Sequence, residues 1–323
     1  MLLQDPILIG TLPVANRLVM PPMQTNKTDR GHVTEELAGY YRDRAVLSRP
    51  GIIITEHSCI TEAGRAAPKQ LSIAEDGRID GHRRLNEAIH EGGGLSFVQL
   101  NHAGSQAHPF DGGETVSASA VLSPRVREGI TPRALSRGEI RELEERFAEA
   151  ALRAIRAEYD GVEIHSAHGY LLNQFYSPLT NRREDEYGPQ SLENRTRFLR
   201  ETAALLRSAI GDAVPLAVRL GGADYLPGGS TEEDAAEACR LLAAEGIDLL
   251  DISGGMCGFV RAGHSEPGYF GSMTEAIKAA VSVPVLLTGG VTRPEEAEEL
   301  LRSGKADLIG VGRALFRDPH WGE

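Results

Sequence analysis

Short apolar runs rich in β-branched residues alternate with longer amphipathic stretches from one end of the chain to the other. This alternation constrains the fold more than any other feature. Strands are predicted at 17–22, 51–56, 95–100, 160–165, 215–219, 249–253, 284–290 and 306–313. Helices are predicted at 35–48, 81–91, 139–157, 193–209, from Ser230 or Thr231 to 244, at 272–280 and from Pro294 to 302, with a last short one after Arg313. Strand–helix alternation gives a parallel sheet with right-handed crossovers, and eight units in one chain favour a closed (β/α)₈ TIM barrel. The whole span 1–323 is expected to be one domain, within the size range of such barrels. The open doubly wound sheet is the rival, but it usually turns out of its first strand through Gly-x-Gly-x-x-Gly. Here that turn reads Met20-Pro-Pro-Met-Gln-Thr-Asn26, with no glycine.

Residues 105–138 break the rhythm. They are rich in Gly, Ser and Pro and read as a long excursion after strand three, expected to carry a hairpin. Ser136 and Glu139 have the spacing of a capping box and open the next helix.

Net charge at pH 7 is −12, which disfavours nonspecific binding to nucleic acid or to anionic membranes. The cysteines Cys59, Cys239 and Cys257 are odd in number, far apart and free of any C-x-x-C spacing. Neither a disulfide framework nor an iron–sulfur or zinc site from this chain is expected. The N-terminus has no basic segment followed by an apolar core, and no stretch has membrane-spanning character, so the expectation is a cytoplasmic protein.

In a barrel of this kind the chemistry sits at the C-terminal ends of the strands. Those ends are unusually polar. Strand two ends in Glu56 and His57, strand three in Gln99 with Asn101 and His102, strand four in His165 with His168 and Tyr170, and strand five in Arg219. Strands seven and eight run into Gly289-Gly290 and Gly312-Arg313. One glycine turn means little, but two on adjacent strands beside an arginine suit a phosphate, whose oxygens need close backbone N–H groups and a charge. His165 and His168 have a metal-like spacing. They lack a third ligand, since Glu163 should face away from its strand neighbours, so no metal is expected. As two neutral imidazoles they can donate to an oxygen that gains negative charge. Tyr170 is either a packing side chain or a proton donor. Arg219 needs an anionic partner, either Glu163 or Asp251 in a structural pair or the charge of a bound ligand.

The run from His165 through His168-Gly-Tyr170 to Asn181-Arg-Arg-Glu-Asp-Glu-Tyr-Gly188 closely resembles the Old Yellow Enzyme family of FMN oxidoreductases. Ser191-Leu-Glu-Asn-Arg195, Gln99-Leu-Asn-His-Ala-Gly104, Asn16-Arg-Leu-Val-Met-Pro-Pro-Met23 and Gly312-Arg313 extend the resemblance over essentially the whole chain. The resemblance implies FMN with its phosphate at strands seven and eight, and NADPH or NADH as reductant. It implies hydride transfer to an activated alkene, with His165 and His168 holding the substrate carbonyl and Tyr170 donating the proton. Gln99 and Arg219 would contact the isoalloxazine. Pro22, Met23 and Gln24 would pass along its edge, and His57 would sit near O4 or that edge. Gly289, Gly290, Gly312 and Arg313 would take the phosphate. The loop 254–271, with Phe259 and His264, is expected to shape the substrate side.

Two positions depart from the family pattern. Gln24 stands where Thr or Cys is common, and Ser105 stands where the strand-three motif often has Arg. A larger branch of the family appends a cysteine cluster and nucleotide-binding domains, and this sequence ends at Glu323 without them. The resemblance therefore implies either a stand-alone homo-oligomer, dimer or tetramer, or a chain served by an electron-transfer partner. Reduction of α,β-unsaturated carbonyl compounds is the leading expectation, and a flavoprotein dehydrogenase working with such a partner is the alternative. A flavin-free aldolase or isomerase would want a Schiff-base lysine or carboxylate base at a strand end. A non-catalytic flavin carrier would not need Tyr170 and its histidines.

Overall fold

The computed structural model describes residues 2–108, 113–125 and 131–322. Eight parallel strands form the barrel: β1 (Leu18–Met20), β2 (Ile52–Cys59), β3 (Leu95–Asn101), β4 (Gly161–Ser166), β5 (Leu216–Ala223), β6 (Leu249–Gly254), β7 (Val285–Thr288) and β8 (Leu308–Gly310). Each is bonded to the next, and β8 pairs with β1 through Ile309↔Leu18, which closes the ring. The helices are α1 (Glu35–Leu47), α2 (Ile79–Glu91), α3 (Arg137–Arg156), α4 (Leu192–Ile210), α5 (Glu232–Ala243), α6 (Gly271–Ala280), α7 (Pro294–Arg302) and α8 (Arg313–Arg317). A further short helix, Leu171–Tyr176, lies between β4 and α4. Among the described residues, no helix is long and apolar enough to cross a membrane.

Capping chemistry sets several helix starts. Ser136 and Glu139 form the expected reciprocal box, and Thr231, rather than Ser230, forms one with Asp234 at α5. Pro294 occupies the first turn of α7, where its missing N–H costs nothing.

Two strands run well past their expected ends. β2 continues past Glu56 because its pairing with β3 shifts register between Thr55 and Ser58. A bulge there adds local twist and re-aims Glu56 and His57. β5 continues to Ala223 through glycines. A Cβ on Gly221 would lie 2.8 Å from Gly254 O, so two backbones approach there that a side chain would part.

The excursion contains no antiparallel hairpin among its described residues. Val116–Ser117 and Arg133–Ala134 pair in parallel instead. A hairpin needs a tight turn, whereas these pairs sit at the two ends of a long loop that returns in the same sense. The true hairpin is N-terminal: Ile7–Ile9 pairs antiparallel with Leu12–Val14 around Gly10, whose φ is 57°.

That hairpin closes the bottom of the barrel. Ile9 and Val14 join Val19, Ile52, Ile54, Phe97, Ala217, Leu249, Leu286 and Leu308 in one buried apolar cluster. Opposite Phe97 stands Gly161, where a Cβ would meet the ring at 2.5 Å. The outward-facing strand residues, such as Val162 and Ile164, pack in the second cluster under the helices.

Above the plug the interior turns polar. Gln99, Glu163, Arg219 and Asp251 are all buried and form one layer. Nearby, Glu56 accepts from Thr25 N (3.1 Å) and Thr25 Oγ1 (2.6 Å), fixing the chain that leaves β1. Burial raises the Glu56 carboxyl to about 7, and its Oε1 has no hydrogen-bond partner among the described residues.

Two outcomes follow. Truncation of Phe97 to Ala leaves a hole in the plug and should lower unfolding free energy by about 3–5 kcal/mol in urea titration. Glu56 is raised, so the fold favours its neutral form: its stabilising contribution is full below pH 4.5 and lost as pH rises through about 7. Glu56→Gln should flatten that part of the stability–pH curve, and an unchanged curve would remove Glu56 as its source.

Candidate active site

The C-terminal strand ends surround a cavity of about 780 Å³, in the range of small-molecule and cofactor sites. Its wall includes Pro22, Met23 and Gln24 after β1, His57 from β2, Gln99 from β3, His165, His168 and Tyr170 from β4 and its loop, and Arg219 from β5. His264 comes from the loop after β6, Gly289 and Gly290 from the end of β7, and Gly312 and Arg313 from the end of β8. The structure thus brings the expected cofactor and substrate residues to one rim, whereas Glu56, Asn101 and His102, also at strand ends, are not part of this wall. It adds, among others, Tyr269, Phe316 and Arg317, and Thr288, at the end of the seventh predicted strand, lies on the same wall. Arg317 lies four residues, about one helical turn, beyond Arg313, a spacing the sequence carried. Tyr269 and Phe316 left no local signal.

The histidines are neutral for identifiable reasons. Burial, then the charges of neighbouring groups including Arg219, hold His165 and His168 well below the usual imidazole value. His57 is pushed down to about 4 by burial and by Arg219. Neighbours also fix two tautomers. Ala167 N–H donates to His165 Nδ1 at 3.2 Å, so the neutral ring carries its proton on Nε2. The Gln70 and Asn101 side-chain amides donate to His57 Nδ1, each at 3.1 Å, which leaves His57 Nε2–H to donate toward Gln24 Oε1 at 3.4 Å. Gln24 Nε2 donates in turn to Asn26 Oδ1 at 2.9 Å, so both ends of this unusual side chain are engaged. His168 Nε2 is 2.8 Å from Ser253 Oγ at the end of β6.

Tyr170 sits among these rings. It stacks on His57 at 5.5 Å between centroids and meets His165 edge-on at 5.0 Å. His165 and His168 are themselves perpendicular at 5.0 Å. Burial raises the Tyr170 phenol above its ordinary value, so the ring keeps its proton at neutral pH. The segment bearing these groups is tightly wound. His168 and Gly169 have φ of 60° and 75°. Gln106 Nε2 braces the segment by donating to His168 O at 3.1 Å and Gly169 O at 2.7 Å. Among the described residues, no group of three His, Cys, Asp or Glu side chains is placed to hold a metal.

Arg219 combines both roles the sequence left open. Its Nε lies 3.3 Å from Asp251 Oδ2, a charge contact without hydrogen-bond geometry, and the side chain also lines the cavity. Glu163, two residues before His165, shares the interior face rather than turning away from it. It accepts from Gln99 Nε2 at 2.8 Å, leaving the Gln99 carbonyl oxygen for the cavity. Burial, with Asp251 close by, holds the Glu163 carboxyl well above the usual range.

These features fit FMN. Arg219 Nε lacks a hydrogen-bond partner among the described residues, so a cation stands ready at the ring end. At the other end the glycines are cut to size. A Cβ on Gly289 would meet the Tyr269 ring at 2.8 Å, one on Gly290 would meet Glu266 O at 2.5 Å, and one on Gly310 would meet Thr288 Oγ1 at 1.9 Å. Bare backbone N–H groups beside Arg313 and Arg317 make a phosphate cradle. His264 reaches the rim, and its Nδ1 is paired with Glu266 Oε1 at 2.5 Å.

Residues 2–323 match the model of the NADH:flavin oxidoreductase / NADH oxidase family. The NADH oxidase of Thermoanaerobacter brockii is 38% identical over 321 residues, covering 97% of this chain but 49% of that protein, so the chain spans about half its length. The NADPH dehydrogenase of Geobacillus sp. (strain WCH70) is 37% identical over 99% of this chain and 92% of its own. Among solved structures, the old yellow enzyme homologue from Zymomonas mobilis superposes with a TM-score of 0.85 at 30% identity, over 99% of this chain and 90% of its own. With its parallel barrel and its matched cavity, the chain belongs to the NADH:flavin oxidoreductase / NADH oxidase family, the Old Yellow Enzyme family, and its cofactor is FMN.

Proposed function

We propose that this protein reduces the activated C=C bond of α,β-unsaturated carbonyl compounds with NADPH or NADH as the source of electrons. The observation that carries this reading is the set of proton donors His165, His168 and Tyr170 at one end of the cavity. FMN would supply the hydride chemistry that links the nicotinamide to the alkene.

The chain's own residues do the rest. Pro22, Met23 and Gln24 would flank the flavin, His57 would back its edge, Gln99 and Arg219 would hold its ring, and Gly289, Gly290, Gly312 and Arg313 would hold its phosphate. His165 Nε2–H, fixed by Ala167, donates to the substrate carbonyl oxygen, and His168 assists. Their hydrogen bonds strengthen as that oxygen gains negative charge when hydride arrives. Tyr170 O–H gives its proton to the α-carbon. A neutral phenol beside neutral imidazoles has no competing acid in its surroundings. His264 borders the substrate side.

The second reading is a flavoprotein dehydrogenase that passes electrons to a partner chain or segment. One observation favours it: the Thermoanaerobacter brockii NADH oxidase is about twice as long as the region it shares with this chain.

Purified protein should be yellow, and anaerobic NADPH or NADH should bleach it. Cyclohexenone should then restore the colour, whereas reoxidation by an artificial acceptor only would favour the second reading. Tyr170→Phe should slow the step with cyclohexenone by about 10²–10⁴-fold and leave flavin reduction within a few-fold; equal slowing of both would remove Tyr170 as the proton donor. Because burial holds the histidines neutral, the cyclohexenone step should be flat from about pH 5 to 8 with respect to them. An inflection near pH 6.5 that disappears in His165→Asn would contradict the neutral assignment.

A further inference from the structure

We infer that Arg125, carried in by the long excursion, is a specificity-determining residue that selects substrates bearing an anionic group beside the activated alkene. The inference rests on the ene-reduction reading above and narrows its substrate class.

Two loops leave room for this side chain. Gly169 lies between His168 and Tyr170, and a Cβ there would be 2.6 Å from Arg125 Cγ. Gly258, in the loop after β6, would bring a Cβ to 2.8 Å from Arg125 Nη1 and 3.0 Å from Cζ. Both glycines have positive φ, 75° and 77°, and neither position accepts a larger residue while Arg125 stays in place. The stem therefore lies across the catalytic turn and the guanidinium lies over the next loop. Phe259, 57% exposed and edge-on to His168 at 6.0 Å, is the chain neighbour of Gly258 and supplies an apolar flank.

The guanidinium has no carboxylate partner among the described residues, although the chain carries a net charge of −12. The nearby buried carboxylate, Asp224, is occupied by Ser177 Oγ, Ser230 N and Oγ, and Met256 N. Arg125 is close enough to lower the proton affinity of His168, Tyr170 and Cys257. The cavity wall itself contains Arg219, Arg313 and Arg317 and no Asp or Glu. Arg219 faces Asp251, and the glycine cradle gives Arg313 and Arg317 the FMN phosphate. Arg125 is left for the substrate, on the side where His165 and His168 would hold a carbonyl. Ser105 brings no charge to this rim, so the cation there comes from the excursion. Arg125 lies beside the cavity rather than in its wall, and an exposed guanidinium bordering a wall free of acids favours carboxylate or phosphate oxygens.

A carboxylate on the substrate or the phosphates of a thioester carrier would supply that chemistry. Reduced holoenzyme is mixed with 4-oxo-2-pentenoate and with its methyl ester, in which a methyl group removes the charge. Crotonyl-coenzyme A and crotonyl N-acetylcysteamine thioester form the second pair. One anionic member should be reduced on the order of 10–100-fold more efficiently than its neutral partner, mainly through KM. Arg125→Gln should erase that preference, Arg125→Lys should keep part of it, and 0.5 M salt should weaken it. Whichever pair shows the effect identifies the source of the anion. Equal use of both members of each pair, or equal slowing of both in Arg125→Gln, overturns the proposal. Calorimetric titration of oxidised holoenzyme with 4-oxopentanoate and its methyl ester reads the same preference without turnover. Selective, Arg125-dependent binding with no alkene reduction would defeat the ene-reduction reading and keep the anion site; equal binding of acid and ester would defeat the anion site.

Discussion

A layer of charge inside the barrel, Arg219 against Asp251 with Glu163 and Gln99 alongside, is the constraint on which the site depends. Charges buried this deeply persist only when paired or neutralised. Asp251 meets Arg219, and Glu163 meets its own burial by holding its proton. The layer leaves one fixed positive charge exposed to the cavity, and that charge contributes to keeping His57, His165 and His168 unprotonated. At this end the cavity meets electron-rich ligands with neutral hydrogen-bond donors and the permanent charge of Arg219, and proton loss from any wall histidine is not required.

The support beneath that layer is apolar and continuous. The N-terminal hairpin fills the barrel floor, and Phe97 fits only because Gly161 faces it. Above it, the register shift in β2 points Glu56 toward Thr25 and His57 toward Gln24. Small backbone irregularities, rather than whole elements, thus decide where the polar side chains end up. The same holds for the turn at His168 and Gly169, which no regular secondary structure would produce.

The barrel was legible in the sequence because its signal repeats eight times and depends only on hydrophobic periodicity. The wall residues were legible because they cluster where strands end, and the motif running from His165 to Gly188 narrowed their chemistry further. What escaped were features set by distant contacts. The N-terminal hairpin is two apolar triplets around Gly10-Thr11, too short to stand out beside a charged, Pro-containing segment. The parallel pairing of Val116–Ser117 with Arg133–Ala134 joins two-residue pieces that carry no period. Tyr269 reaches the cavity from a loop whose path depends on Gly268, Gly289 and Gly290, and Arg125 could be connected to the β4 loop only once the folded chain placed it over Gly169. Glu163 was read as turned away, yet strand alternation puts it on the same face as His165, two residues on.

The sealed floor has a kinetic meaning. Because Ile9 and Val14 fill one end of the barrel, the cavity is a blind well whose mouth lies among the strand-end loops. Anything that gives electrons to its occupant and anything that receives them must enter by that doorway. On the function proposed above, electron donor and electron acceptor use the same mouth, so an excess of either would slow the other by standing in its way.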